Sequence, residues 1–464
     1  MIGTEGMGLF SAFNSVTSLV GGIAGMGISN SGVRQIAEAV GSQDRKKISR
    51  TVLVLRRTSL FLGFIGMLSL LALSKPISLL TFGTAKYTSS LALLSVTILF
   101  AEISGGQSAL IQGMRRIREL ATLSILGAVT GTFVSLPIIY VFREKGIVPF
   151  LVIVSAFTIG TSWWYAKRIK IEAEAMPLVL AWSEARALLG MGAVFMANGL
   201  MVSAVAYLTR TMVIREINLD AAGLYQAAYA LSGVYVGFVL SAMGADYYPR
   251  LTAVAEDNRE INRLVNEQTE AALLMAVPGI LATLTFAPLV IHLLYSSQFS
   301  PATSILRWQL LGILGRIITW PIGFVLLAKG AGRIFFLTEL LTNLVHLSLL
   351  WFGMRWFGLD GLGMAFFYLY VFYAPLIFIV VRRECGFRWT AHNLRLGAGA
   401  IVATMLVFFI TDGKLGNFWS FTCGGLITAT AGFYAASKLS SRAGFSSLRE
   451  FWNALAMRLK AKFI

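Results

Sequence analysis

Long apolar runs, separated by short charged segments, repeat from one end of this chain to the other. Thirteen intervals are apolar over a bilayer's width, at about 7–29, 58–76, 88–110, 119–141, 147–166, 187–209, 222–243, 270–294, 303–328, 333–353, 361–381, 396–411 and 417–436. A hydrocarbon core asks for about 20 residues per helical crossing, and only the twelfth interval is notably short of that. The longest polar stretches run to about 20–30 residues, which leaves no room for an extended soluble domain.

The pattern also repeats on a larger scale. Residues 8–31 and 223–246 read as two copies of one passage, opened by Gly8-Leu9-Phe10 and by Gly223-Leu224-Tyr225. At nearly the same offset, Asp44-Arg45 answers Asn258-Arg259, and Gly113, Arg116, Ile117 and Leu120 answer Gly330, Arg333, Ile334 and Leu337. Duplicated helix bundles are a common transporter plan, with the substrate site at the interface of the repeats. The expected fold is therefore all-α: a polytopic membrane protein with two pseudo-symmetric helical lobes around a central cavity, plus a C-terminal helix pair. The boundaries read as a five-span N-terminal lobe at 1–170, a cytoplasmic linker at 171–186, a six-span C-terminal lobe at 187–385, the extra pair at 386–436 and a basic tail at 437–464. In that tail Leu448, Trp452, Leu455 and Leu459 share one helical face, with Arg449, Arg458, Lys460 and Lys462 elsewhere. Such a helix suits an anionic inner leaflet; a frayed tail is the other reading. Span 187–209 opens the second copy, and its counterpart would precede residue 1. The expectation is a missing first helix, with a true thirteen-span chain as the alternative.

Composition sharpens the class. Mean hydropathy is +0.73, 56% of residues are hydrophobic and 13% are charged, against roughly a quarter charged in globular domains. Of the 39 Lys and Arg, about 29 fall in the loops after the odd-numbered spans and in the tail. Basic loops stay cytoplasmic, so the C-terminus is placed inside and Met1 outside. The net charge of +17 is then mainly topological, and nucleic acid is not expected as a partner. His292, His346 and His392 show no metal-ligand spacing, and Cys385 and Cys423 are distant, with no CxxC pair. No Walker sequence or GxSxG elbow occurs. Neither an enzyme nor a metal or cofactor site is expected, and any transport must draw on an ion gradient, the membrane potential or the substrate gradient.

Ionisable groups within the spans are the candidates for function, because charge at the bilayer centre is costly. Arg316 lies about 13 residues from either end of WQLLGILGRIITWPIGFVLL and its flanks, roughly 20 Å from water at 1.5 Å per residue. It is expected to line a wet substrate cavity or to sit in a structural ion pair. Arg307, near the outer end of the same helix, snorkels or contacts substrate and points away from Arg316. Glu102, the main buried acid of the first lobe, occupies a depth similar to that of Arg316 in the equivalent helix. It reads as one half of a cross-cavity pair, as a proton-coupling carboxylate, or as a group satisfied within its own lobe. Arg34 with Asn30, and Asp246 with Arg250 at the repeat position, are candidate gates or plain interfacial charges. Arg210 caps the sixth span near Glu216 as an interfacial charge or, with Arg34 at the entry, as a substrate contact at the exit. Glu339 is placed within reach of Arg333 or Lys329 as a structural pair or a coupling group. Tyr225 and Gln226 suit sugar contact or an aromatic belt.

The strings GTEGMGLF, GISNSGV, GLYQAAYALS, GADYYPRLTAV, LLYSSQFSPATSILRWQLLG and FVLLAKGAGRIFFLTEL resemble the Wzx-type polysaccharide flippases of the multidrug/oligosaccharidyl-lipid/polysaccharide exporter superfamily. The resemblance covers about residues 1–385 and is closest in kind to the O-antigen and enterobacterial-common-antigen translocases. In such proteins GTEGMGLF follows a first helix that this sequence lacks. The resemblance implies a MATE-like fold and a cargo of undecaprenyl-diphosphate-linked oligosaccharide, moved from the inner to the outer leaflet of the bacterial inner membrane by alternating access. Membrane lipids, and a polysaccharide polymerase with chain-length regulators, are the partners it allows. An unpaired ion in a low-dielectric medium costs tens of kcal/mol by Born estimates, so a cationic, watered cavity is what a diphosphate needs, and Arg offers a matching fork of donors. A lipid II flippase and an ion-coupled drug or metabolite antiporter of the same superfamily are the alternatives.

Overall fold

A backbone crossing lipid must satisfy its own polar groups, and the apolar runs accordingly form helices. The computed structural model describes residues 2–42, 44–169, 178–411 and 417–442, and those residues contain no strand. In chain order the helices are α1 (Gly3–Ala24), α2 (Ile28–Gly41), α3 (Arg45–Phe82), α4 (Thr88–Gly113), α5 (Ile117–Phe142), α6 (Ile147–Lys167), α7 (Leu178–Glu216), α8 (Leu219–Ala253), α9 (Asn258–Thr285), α10 (Ala287–Leu294), α11 (Ala302–Ala328), α12 (Gly332–Phe357), α13 (Leu359–Cys385), α14 (Ala391–Ile410) and α15 (Asn417–Arg442). Each predicted span lies on one of these or, for 7–29 and 270–294, on two in succession. Among the described residues, 9 stretches are long and apolar enough to cross a membrane, one of them running from Ile117 through Lys167 across two helices. Much of the predicted linker 171–186 and most of the tail 437–464 lie outside the described residues.

The chain divides into two compact units, Met1–Gly223 and Leu224–Ile464. The first unit holds two apolar cores. Phe13, Leu91, Leu94, Ile98 and Ile147 build one between α1, α4 and α6. Ile28, Ile36, Leu55, Leu110 and Leu188 build the other between α2, α3, α4 and α7. Helix α7 packs on α1, α2 and α3, where the Thr81 and Tyr207 hydroxyls share a buried hydrogen bond of 2.9 Å. The second unit centres on Tyr247, Leu251, Val265, Val325, Ile377 and Val381. There α11 and α13 cross closely, because a Cβ on Gly315 would stand only 2.6 Å from the Tyr370 Cβ; small residues permit such approaches in membranes.

The internal repeat recurs in the backbone itself. Asp44 caps α3 by accepting from Lys46 N at 2.9 Å, and Asp257 caps α9 by accepting from Arg259 N at 2.9 Å. The turn before α5 has Arg115 at φ 56° and the turn before α12 has Gly330 at φ 71°. In both, the next residue's N–H reaches back five positions, Arg116 to Ile111 O at 3.0 Å and Ala331 to Leu326 O at 2.8 Å. The turns after α5 and α12 match as well, with Arg143 at φ 50° and Gly358 at φ 57°. The break in the first helical span is not duplicated. The first helix of the chain breaks after Ala24, where Met26 and Gly27 take φ 46° and 65°, whereas α8 at the repeat position runs on through Leu219–Ala253. The left-handed conformation at Gly27 suits a residue without a Cβ.

The helix pair α14–α15 packs on α9, held at one end by side-chain amides. Asn266 of α9 donates to Asn262 O (2.8 Å) and Arg388 O (3.0 Å), and accepts from Thr390 N (3.0 Å) and Asn393 Nδ2 (2.9 Å).

Candidate functional site

In the first unit the helix break meets a half-buried acid. Glu102 on α4 lines a cavity of about 370 Å³ whose other polar walls are Asn14, Thr17 and Ser18 of α1, Thr97 of α4 and Ser155 of α6. Its carboxylate stands beside Gly25, where a Cβ would lie 2.5 Å from both oxygens, so the backbone at the break is part of the carboxylate's surroundings. Gly27 is in turn closed against the carbonyl of Gly192 on α7. Among the described residues Glu102 has no hydrogen bond and no cation within ion-pair distance. Broken helices with a lone ionisable group are where membrane transporters bind ions and substrates. The glycines of GGIAGMG were the sequence signal for the break, and they went unread as such.

In the second unit the charges gather around α11. Arg316 is half-buried and, among the described residues, makes no hydrogen bond or ion pair. Glu339 of α12 and Tyr370 of α13 both lie within electrostatic range of it. Glu339 accepts from the Tyr373 hydroxyl at 3.2 Å, a partner on α13, where the sequence pointed to Arg333 or Lys329 one to three turns back along the chain. Arg316 and Glu339 therefore share a neighbourhood lined with tyrosines, while Glu102 stands in the cavity of the first unit.

The remaining candidates have their own settings. Arg307 faces away from Arg316 and reaches α14, donating to Phe408 O and, at 3.1 Å, to Thr411 Oγ1, with its guanidinium 4.8 Å above the Phe408 ring. It borders a cavity of about 420 Å³ with Asp360, Trp308 and Tyr368. Arg34 pairs with Glu38 one turn on at 2.9 Å, and Asp246 with Arg250 at 3.1 Å. Both are exposed i,i+4 pairs of the kind that contribute under about 1 kcal/mol. Arg210 donates to Ala206 O at 3.0 Å on its own helix α7. Tyr225 is only 4% exposed and stacks on Tyr229 at 6.1 Å; Gln226, beside it, is partly buried. Tyr229, by contrast, is 43% exposed.

Residues 1–304 match the family described as "Polysaccharide biosynthesis protein". The chain belongs to that family. Its similarity to curated members extends to the lipid III flippases of Escherichia coli (strain K12) and Shigella flexneri, each 24% identical over 344 residues, covering 73% of this chain and 80% of that protein. The fold is that of a MATE-family multidrug transporter of the MOP superfamily in an inward-facing conformation (TM-score 0.70, 13% identity, 83% of this chain and 91% of that one). It is likewise that of the lipid II flippase MurJ, inward closed (TM-score 0.65, 16% identity, 95% and 94%). This member of the family is thus an all-helical, multi-span membrane protein of the MATE and MurJ fold.

Proposed function

We propose that this protein is a flippase for undecaprenyl-diphosphate-linked oligosaccharide, an O-antigen or related repeat unit, moving it from the cytoplasmic to the periplasmic leaflet of the bacterial inner membrane by alternating access. The observation that carries this reading is Arg316: a guanidinium deep in a membrane helix that no carboxylate within ion-pair distance neutralises among the described residues. A cation held open in that position is suited to a diphosphate, which it meets with a planar fork of N–H donors. Glu339 and its tyrosine neighbours fix the surroundings of that fork, and the exposed face of Tyr229 supports a sugar-contact role for the aromatic pair. The tail of the cargo stays in lipid, so only the headgroup needs shielding. The names of the relatives, flippases of lipid III and lipid II, support a lipid-linked cargo. Lipid III is the second cargo to test, because the relatives bearing that name match 73% of this chain.

In the first unit, Glu102 supplies coupling. An acid without a cation partner beside a helix break takes up a proton or a small cation in one state of the cycle and releases it in the other. On the basic-loop rule the C-terminus is cytoplasmic.

Complementation tests the reading. A strain lacking its O-antigen flippase, and one lacking its lipid III flippase, receive wild type, Arg316→Ala or Arg316→Lys, with surface polysaccharide scored at equal membrane abundance. Losing charge-assisted hydrogen bonds worth about 1.5–3 kcal/mol should lower export roughly 10–100-fold in Arg316→Ala, with Arg316→Lys between. Full export by Arg316→Ala would refute the anion-binding role.

A further inference from the structure

Helix α6 has two faces with opposite surroundings. Leu151, Ser155 and Ser162 point inward, the first two onto the Glu102 cavity and Ser162 onto Gln107 of α4. Ile153, Phe157, Gly160 and Trp164 recur at helical spacing on the other side, and with Leu126 of α5 they line a second cavity of about 590 Å³. From Ile153 to Trp164 this groove is about 16 Å long at 1.5 Å per residue, close to the roughly 15 Å depth of one leaflet's hydrocarbon. Its walls are apolar apart from Thr161, whose hydroxyl is taken up by Phe157 O at 2.9 Å, up to one end, where Tyr165 and Arg168 close it.

That end has the chemistry of a headgroup site. The Arg168 guanidinium lies 5.4 Å from the Trp164 ring and 5.1 Å from the Tyr165 ring, and Lys167 sits 5.0 Å over Trp163. Aromatic rings at this level mark the membrane–water interface, and stacking orients a guanidinium while leaving N–H edges free. No carboxylate pairs with Arg168 among the described residues. Because α5 and α6 run antiparallel through the short turn at Arg143–Gly146, the start of α5, with Arg115, Arg116 and Arg118, lies at the same membrane end. Arg116 is shared with Glu119 at 3.5 Å.

We infer that the α5–α6 groove is a binding site for an anionic phospholipid of the leaflet at its basic end, with an acyl chain along Ile153, Phe157 and Gly160 and the phosphate on Arg168. The depth of the groove fits an acyl chain; an undecaprenyl tail, longer than a leaflet is deep, would overrun it. Charge and apolar length thus select the same occupant.

Native mass spectrometry of the full chain in mild detergent tests this, with phosphatidylglycerol or phosphatidylcholine added at equal concentration. One phosphatidylglycerol should be retained about fivefold better than phosphatidylcholine, the effect of one basic group near an anionic surface. Arg168→Ala should abolish that preference and Arg168→Lys should restore most of it. A Cβ at Gly160 meets nothing within 4 Å, so Gly160→Trp should fill the groove and expel both lipids. Gly131→Trp on α5, equally open and outside the groove, should leave binding intact. Equal retention of the two lipids by wild type, or a preference that survives both Arg168→Ala and Gly160→Trp, would overturn the inference. So would displacement of phosphatidylglycerol by equimolar undecaprenyl phosphate, which would make the groove a cargo-tail site.

Discussion

Adding one methyl group at Gly25 probes the Glu102 site without touching the acid. In Gly25→Ala the new Cβ would lie 2.5 Å from both carboxylate oxygens, whereas ordinary contact begins at 3.4 Å. The carboxylate must therefore withdraw by about 0.9 Å, the difference between those two distances. It is the far end of a flexible side chain facing a cavity of about 370 Å³, so the cost to folding should sit near the low end of the roughly 1–3 kcal/mol typical of overpacking. Function should suffer more, since displacements near 1 Å at a positioned group can cost about a hundredfold. We expect Gly25→Ala to keep near wild-type membrane abundance and melting temperature while the initial rate of polysaccharide export falls 10–100-fold. Glu102→Gln should fall at least as far. The decisive measurement is the double variant: if both changes act through the same carboxylate, Gly25→Ala/Glu102→Gln will lie within about twofold of Glu102→Gln alone, whereas independent sites would add their losses to within about that factor. Wild-type export in Gly25→Ala, or fully multiplicative losses in the double variant, would refute a coupling role for Glu102 at this position.

Asn266→Ala removes a donor and an acceptor from the amide cluster that seats α14, leaving Thr390 N without its partner; at about 1 kcal/mol per bond, thermal unfolding in detergent should report a loss of roughly 2–4 kcal/mol. Tyr207→Phe deletes the hydroxyl pair with Thr81 and should cost about 0.6 kcal/mol, the usual value for polar contacts between membrane helices, in the same melting assay. Gly315→Ala should destabilise by roughly 1–3 kcal/mol through the Tyr370 contact. Gly323→Ala, whose Cβ would meet the Tyr373 hydroxyl at an ordinary 3.5 Å, should leave the melting temperature unchanged.

Sequence reading located the helices well because lipid leaves a backbone few alternatives. The predicted interval 303–328 became α11 at Ala302–Ala328, and 147–166 became α6 at Ile147–Lys167. Where boundaries were short, polar residues continue the helix past the apolar run: 58–76 lies inside α3, which begins at Arg45 because Asp44 caps it there. Where a helix was drawn too long, the cause is local backbone. The interval 7–29 ignores the left-handed residues at 26 and 27, and 270–294 spans the change from α9 to α10 at Phe286. Of the candidate residues, Arg307 and Arg316 fall on one continuous helix, α11, as the apolar run 303–328 implied. Partners on other helices did not follow. Glu339 meets Tyr373 across α12 and α13, and Arg307 meets α14, because crossing geometry is set by Gly315 and its neighbours and has no signature in hydropathy.

Helix α14 is fastened at both of its ends to different helices. Asn393 binds α9 through Asn266 near one end, and Phe408 and Thr411 receive Arg307 of α11 at the other. A rod tied at both ends converts splaying of α9 from α11 into tension along itself, and helical hydrogen bonds resist stretching. The second unit is thereby stiffened along the edge where α14 lies, and the give required by a transport cycle must come from elsewhere in the chain. Releasing one knot, by Arg307→Gln, should raise amide exchange in α9 and α11 together; a rise confined to α14 would show that the helix carries no load.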